Sequence, residues 1–170
     1  MRNKLIARLD GYWKMEAANV LLVPLFAAVL VLTNDDAVGL WLAAAMLACG
    51  GLLVIGAMAW RMELADLRGE KALAARLLRW LGPSRPLGIG LAVLGAVAAV
   101  AQPAIDGGFT PSAIAAMVLG LLAVLEYVNY YVVQLQHFDH AADFKRLMSG
   151  KGFRRADLAK AVDAWRAETL

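Results

Sequence analysis

Residues 112–135, SAIAAMVLGLLAVLEYVNYYVVQL, run for 24 positions with no Lys or Arg and with a single acid, Glu126. About 20 consecutive, mostly apolar residues are enough to carry a helix across a bilayer. Three further stretches of the same kind lie at about 17–33, 37–60 and 86–105, and none contains a charged residue. The chain is 61% hydrophobic with a mean hydropathy of +0.61, above the usual apolar fraction of soluble domains. These runs predict an all-α, polytopic membrane protein: a single four-helix transmembrane bundle over residues 1–170, with short cytoplasmic amphipathic helices. At 170 residues the chain leaves no room for a separate soluble domain of ordinary size.

Orientation follows from the basic residues. The segments before the first run, between the second and third, and after the fourth hold all 17 Lys and Arg, against ten acids. The other two connections carry Asp35, Asp36 and Asp106 and no base. Short loops rich in Lys and Arg stay on the cytoplasmic side, so both termini and the tail at about 141–170 are expected inside. An excess of seven positive charges on that face suits anionic lipid headgroups. A nucleic-acid surface is not expected, because bases and acids alternate along short linkers without forming a stripe. The exit of the first run, Val31-Leu32-Thr33-Asn34-Asp35-Asp36, lacks a small-x-small cleavage pattern, and the span is expected to stay in the protein.

Between the runs, residues 2–15 place Leu5, Ile6, Leu9, Tyr12 and Trp13 near one helical face. This predicts an interfacial helix bending near Gly11 into the first span. Pro24 inside that span frees the carbonyl of Val20, which a neighbouring helix must satisfy. Residues 61–85 predict a continuation of the second span, a break near Gly69 and a surface helix ended by Gly82-Pro83. The Gly- and Ala-rich third span, with Gly88, Ala92, Gly95, Ala96 and Ala99, offers grooves on several faces and is expected to be central. The tight turn Asp106-Gly107-Gly108 makes spans three and four a hairpin. The fourth helix is expected to start at Pro111-Ser112 and run on to Ser149-Gly150, followed by a last helix at about 155–168. Cys49, the only cysteine, is expected to pack in the membrane.

Glu126 lies about 13 Å from the cytoplasmic end of its span at 1.5 Å per residue. A charge at that depth costs several kcal/mol, at roughly 3 kcal/mol even on insertion scales. Glu126, Asn129, Tyr130, Val133, His137 and His140 follow helical spacing, with Tyr127 and Gln134 flanking them. Three readings are open for this stripe. It could lock the fourth helix to its neighbours through hydrogen bonds. It could line a site for a lipid headgroup, a small amphiphile or protons. It could hold a metal or haem through His137 and His140, with Asp139 and Asp143. The last is the least supported, since a site needs further ligands and these are the only two histidines. No metal and no cofactor is expected.

Catalysis has no motif behind it: there is no phosphate loop, nucleophile elbow or His-Glu-x-x-His helix. Ser84, Ser112 and Ser149 stand at helix ends, where capping accounts for them. The pattern Glu126-Tyr127-x-Asn129-Tyr130, followed by Gln134-Leu135, resembles a family of small four-helix bacterial integral membrane proteins of unassigned activity. The similarity covers the fourth span and the tail, where Asp143, Leu158 and Lys160 continue it. It implies a bacterial inner-membrane location and no chemistry. The function expected is a non-catalytic accessory or scaffold protein, with a carrier or binding protein centred on Glu126 as the alternative. A homodimer or a membrane-protein partner is compatible with the small-residue spans.

Overall fold

A computed structural model of the chain describes residues 2–135, 145, 148–150 and 152–169. The fold is all-α. Its elements are α1 (Arg2–Leu32), α2 (Leu40–Arg68), α3 (Lys71–Leu81), α4 (Arg85–Asp106), α5 (Pro111–Tyr131) and α6 (Asp157–Thr169), with a 3-10 turn, Gly82–Ser84, joining α3 to α4. Four helical segments, Arg2–Leu32, Leu40–Arg68, Lys71–Asp106 and Pro111–Tyr131, are long and apolar enough to cross a membrane. Leu21, Leu25, Phe26, Leu47 and Leu121 point outward from the bundle, as side chains facing lipid do.

The first helix does not bend at Gly11. It is continuous for 31 residues, and α2, which also continues beyond its apolar stretch, offers a partner for those extra turns. Leu9 is buried, Arg2 Nη2 donates to the Leu67 carbonyl at 2.6 Å, and Arg68 pairs with Asp10 at 3.1 Å. Tyr12 and Trp60 meet at 5.4 Å between ring centroids, and the Arg61 guanidinium lies over Trp13. A single helical glycine costs only about 1 kcal/mol, so packing of this kind outweighs it. The apolar face expected to lie on a membrane surface is spent on α2 instead.

The central helix is α2, not the Gly-rich third span. More than half of its apolar window is buried (56%), against 28% for the third segment. It packs against α1, α3, α4 and α5. Small residues in α4 make one close seam on a single face, leaving Leu87, Val93, Val97 and Val100 exposed. In that seam a Cβ on Gly95 would stand 2.8 Å from the Ala123 Cβ and 3.2 Å from the Gly120 carbonyl oxygen. Across from α1, Gly50 lies over the proline notch, its Cβ position 3.7 Å from the freed Val20 oxygen and 3.9 Å from Pro24. Cys49 is buried in the core as expected.

The break at Gly69 and the turn at Gly107 both use left-handed backbone, with φ of 82° and 68°, a conformation that costs glycine nothing. The fourth transmembrane helix is shorter than its sequence suggests. It stops at Tyr131, where the Asn129 side chain accepts a hydrogen bond from the Leu135 amide at 2.8 Å. The tail then takes over the backbone groups the helix releases. Gln134 N donates to the Arg154 carbonyl at 2.8 Å, Ala156 N to Val132 at 3.3 Å, and Val133 forms an isolated bridge with Arg155. The expected continuation between 136 and 144 lies outside the described residues. The last helix forms as expected: Leu158 and Val162 of α6 are buried, and Trp165 covers Gly82.

Candidate intramembrane site

The stripe of α5 does not act as one surface. Asn129 and Gln134 turn to the tail: Asn129 ends the helix, and Gln134 Oε1 accepts from Arg154 at 2.9 Å. Glu126 and Tyr130 turn instead toward α1 and α2. His137 and His140, with Asp139 and Asp143, lie outside the described residues, and with them the metal reading, the least supported of the three. Among the described residues, no three His, Cys, Asp or Glu side chains come together as a metal would require.

The partner of Tyr130 is Glu16 of α1, 114 residues away in sequence. The phenol donates to the Glu16 carboxylate, and both side chains are buried, at 4% and 5% exposure. Trp60 lines the same crevice as Tyr130. Gly56 of α2 makes the space, since a Cβ there would stand 2.3 Å from the Tyr130 oxygen. Glu126, one turn before Tyr130, lies within reach of that hydroxyl and in electrostatic contact with Glu16. Its Oε2 is fully buried and has no hydrogen-bond partner among the described residues. A buried polar atom without a partner costs about 1–3 kcal/mol, and more when charged.

Two spaces adjoin this group. An apolar groove of about 500 Å³ runs between α1 and α5, with Leu22, Phe26 and Leu30 on one wall and Ile114, Val118 and Leu122 on the other. Its inner end, at Leu122, is one helical turn from Glu126. At the end of the bundle nearer the tail a crevice of about 20 Å³ lies among Trp60, Glu63, Asn129, Tyr130, Gln134 and Asp157. That volume holds about one water molecule. Tyr130 thus borders the polar crevice, while the lining of the apolar groove ends at Leu122, one turn short of Glu126.

Glu16 escapes sequence reading because it sits at the border of the first apolar run, where an acid looks like an ordinary cytoplasmic charge. The signal was its register. The buried residues of α1 are Leu9, Glu16, Ala27 and Val31, separated by 7, 11 and 4 positions, which returns each to one helical face. An acid on the inward stripe is a candidate wherever the span is said to begin.

The opposite end of the bundle carries a second polar cluster. Gln102 Oε1 caps α2 by accepting from Leu42 N at 3.1 Å, while its amide donates to Asp106 at 3.0 and 3.1 Å. Thr110 and Ser112 hydroxyls also donate to Asp106. Asp36 accepts from the amides of Ser112 at 2.9 Å and Ala37 at 2.7 Å, and these two bonds, the Ser112 one foremost, hold its pKa below the usual 3.8. Helix capping at this end falls to Thr110, which accepts from Ala113 N, and not to Ser112. Ser84, buried against the α4 start, donates to Leu81 O and bonds the Tyr131 hydroxyl.

No family model matches the chain, and no curated protein or solved structure matches it either.

Proposed function

We propose that this protein is a membrane-embedded binding protein or carrier for a small amphiphile, held with its polar end at Glu126 and its apolar part in the groove between α1 and α5. The observation that carries this reading is the Glu126 Oε2 atom, buried and unpartnered beside an open apolar groove. Structural polar groups in a bundle interior are satisfied where they stand, and those of the outer cluster are; this one is left for something else to satisfy. The positive-inside pattern and the resemblance of the last span support a bacterial inner-membrane protein with both termini cytoplasmic. Arg76 and Arg79, exposed beside the outward Trp80 on α3, support contact with anionic headgroups. A non-catalytic scaffold role is the second reading, favoured by the use of Asn129 and Gln134 to fasten the tail; a homodimer would suit either.

The test is occupancy of the groove. Val118 is half-exposed on its wall, so Val118→Trp fills the space while leaving the bundle seam untouched. Native mass spectrometry of the delipidated protein with added twelve-carbon amphiphiles should show one bound chain in the wild type and a loss of about tenfold or more in the variant, the equivalent of roughly 1.4 kcal/mol. Absence of any adduct in the wild type would end the binding reading.

A further inference from the structure

We infer that the site selects a primary-ammonium amphiphile, an alkyl chain ending in –NH3+, which the Glu16 and Glu126 carboxyls bind together; this rests on the groove being a binding site. The argument begins from charge. No Lys, Arg or His lies in any of the four apolar stretches; Arg61, just past the second, pairs with Glu70 at 2.9 Å through one nitrogen, and its buried Nη1 has no hydrogen-bond partner among the described residues. Two acids from different helices flank one phenol: Tyr130 donates to Glu16 of α1, and Glu126 of α5 stands one helical turn before Tyr130. Like charges in a low-dielectric interior repel strongly, so any negative charge the pair carries is best balanced by a cation that arrives with its own apolar escort.

The hydrogen-bonding inventory narrows that cation. An ammonium group has three donors and no acceptor. Tyr130 spends its hydrogen on Glu16 Oε1, and Glu126 Oε2 receives nothing. A carboxylate or phosphate headgroup would meet two acids. An alcohol brings one donor, which leaves the remaining acceptors unsatisfied. The groove supplies the rest: its walls from Leu22 to Leu30 extend about 12 Å at 1.5 Å per residue, enough for a medium-length alkyl chain.

The experiment compares dodecylamine, dodecanol and dodecanoate, identical in chain and different in headgroup, on the full-length protein by native mass spectrometry at neutral pH. Dodecylamine should bind at least about tenfold more tightly than dodecanol, and dodecanoate weakest of the three, since charge-assisted hydrogen bonds are about twice as strong as neutral ones. Glu126→Gln, which keeps the shape, should erase the preference for the amine while retaining dodecanol binding. Tyr130→Phe, which frees Glu16 from its donor, should keep the amine preference. Equal binding of amine and alcohol, or an amine preference that survives in Glu126→Gln, overturns the assignment of headgroup while leaving the groove reading intact. Loss of dodecanol in Val118→Trp, but not in Glu126→Gln, keeps the two questions apart. Melting curves identify a variant that has not folded; Glu126→Asp, retaining the charge, then takes its place and should hold the amine preference.

Discussion

The two faces of α5 are finished in opposite ways. Toward α4 the helix presents Gly120 and Ala123, and α4 answers with Gly95 and Ala99, so the backbones approach until a Cβ on Gly120 would stand 2.3 Å from the Gly95 oxygen. Toward α1 it presents Ile114, Val118 and Leu122, and α1 answers with Leu22, Phe26 and Leu30, leaving a groove of about 500 Å³. In a bilayer no hydrophobic drive pulls helices together, and association rests on packing and hydrogen bonds. Small residues therefore decide which neighbours of α5 close on it and which stand off. Polar groups follow the same division. The Ser112 side chain at the outer end is bonded and buried, whereas Glu126 on the open side keeps an unpartnered oxygen.

The largest expected effect comes from forcing the closed face open. Gly120→Leu places its Cβ against the Gly95 carbonyl and the Ala99 methyl, of which the first is backbone and cannot rotate away. Overpacking of this kind costs about 1–3 kcal/mol or more, so the variant should melt well below the wild type in detergent. Val118→Leu, two residues away on the open face, should melt with it. Equal melting of Gly120→Leu and the wild type would mean that the α4/α5 seam is not closed, and the contrast between the two faces would collapse.

A polar counterpart gives the next effect. Gln102→Leu removes the acceptor of the Leu42 amide, buried 60 residues away in sequence, and two donors to Asp106. Leaving a buried donor unsatisfied costs about 1–3 kcal/mol, and the loss should appear as a lower melting temperature. Glu126→Gln should shift the same measurement far less, because Glu126 Oε2 has no bond to lose. If the two variants were equally destabilised, Glu126 would be a structural polar group like Gln102.

This division explains what the sequence made legible. Spans, turns and the tail helix follow from hydropathy, glycine position and the spacing of Leu158, Val162 and Trp165, all of which are local. Glu126 stood out too, as the single acid in a run of 24 positions without Lys or Arg. What escaped is relational. The centrality of α2 depends on which helices it touches, and a run of small residues in α4 signals close approach without saying on how many sides. Helix α5 stops at Tyr131 because residues 154–156 bond to residues 132–134, and nothing local to HFDH announces that. Glu16 needed both its own register and the knowledge that Tyr130 faces it. The continuity of α1 through Gly11 needed the extension of α2 past its apolar stretch.

The smallest effect tests the outer end by acid. Asp36 is held ionised by the Ser112 and Ala37 amides, so its folded-state pKa lies below 3.8, the value of a free side chain. The sign follows from linkage. An acid whose pKa is depressed by folding contributes stability that is fully present above the unfolded value and is lost as pH falls through the folded one. The wild-type melting temperature should therefore carry an added decline below about pH 4 that Asp36→Asn lacks, the two curves running parallel at higher pH. Other acids titrate in the same range, so only the difference between the curves reports on Asp36, and because that side chain is solvent-accessible the difference should be slight. Hydrogen exchange at the Ser112 amide gives a local reading, accelerating below pH 4 as its acceptor is neutralised. Curves that separate above pH 5 instead would place the titrating group elsewhere, and would show that the outer cluster is not the settled counterpart of the open site at Glu126.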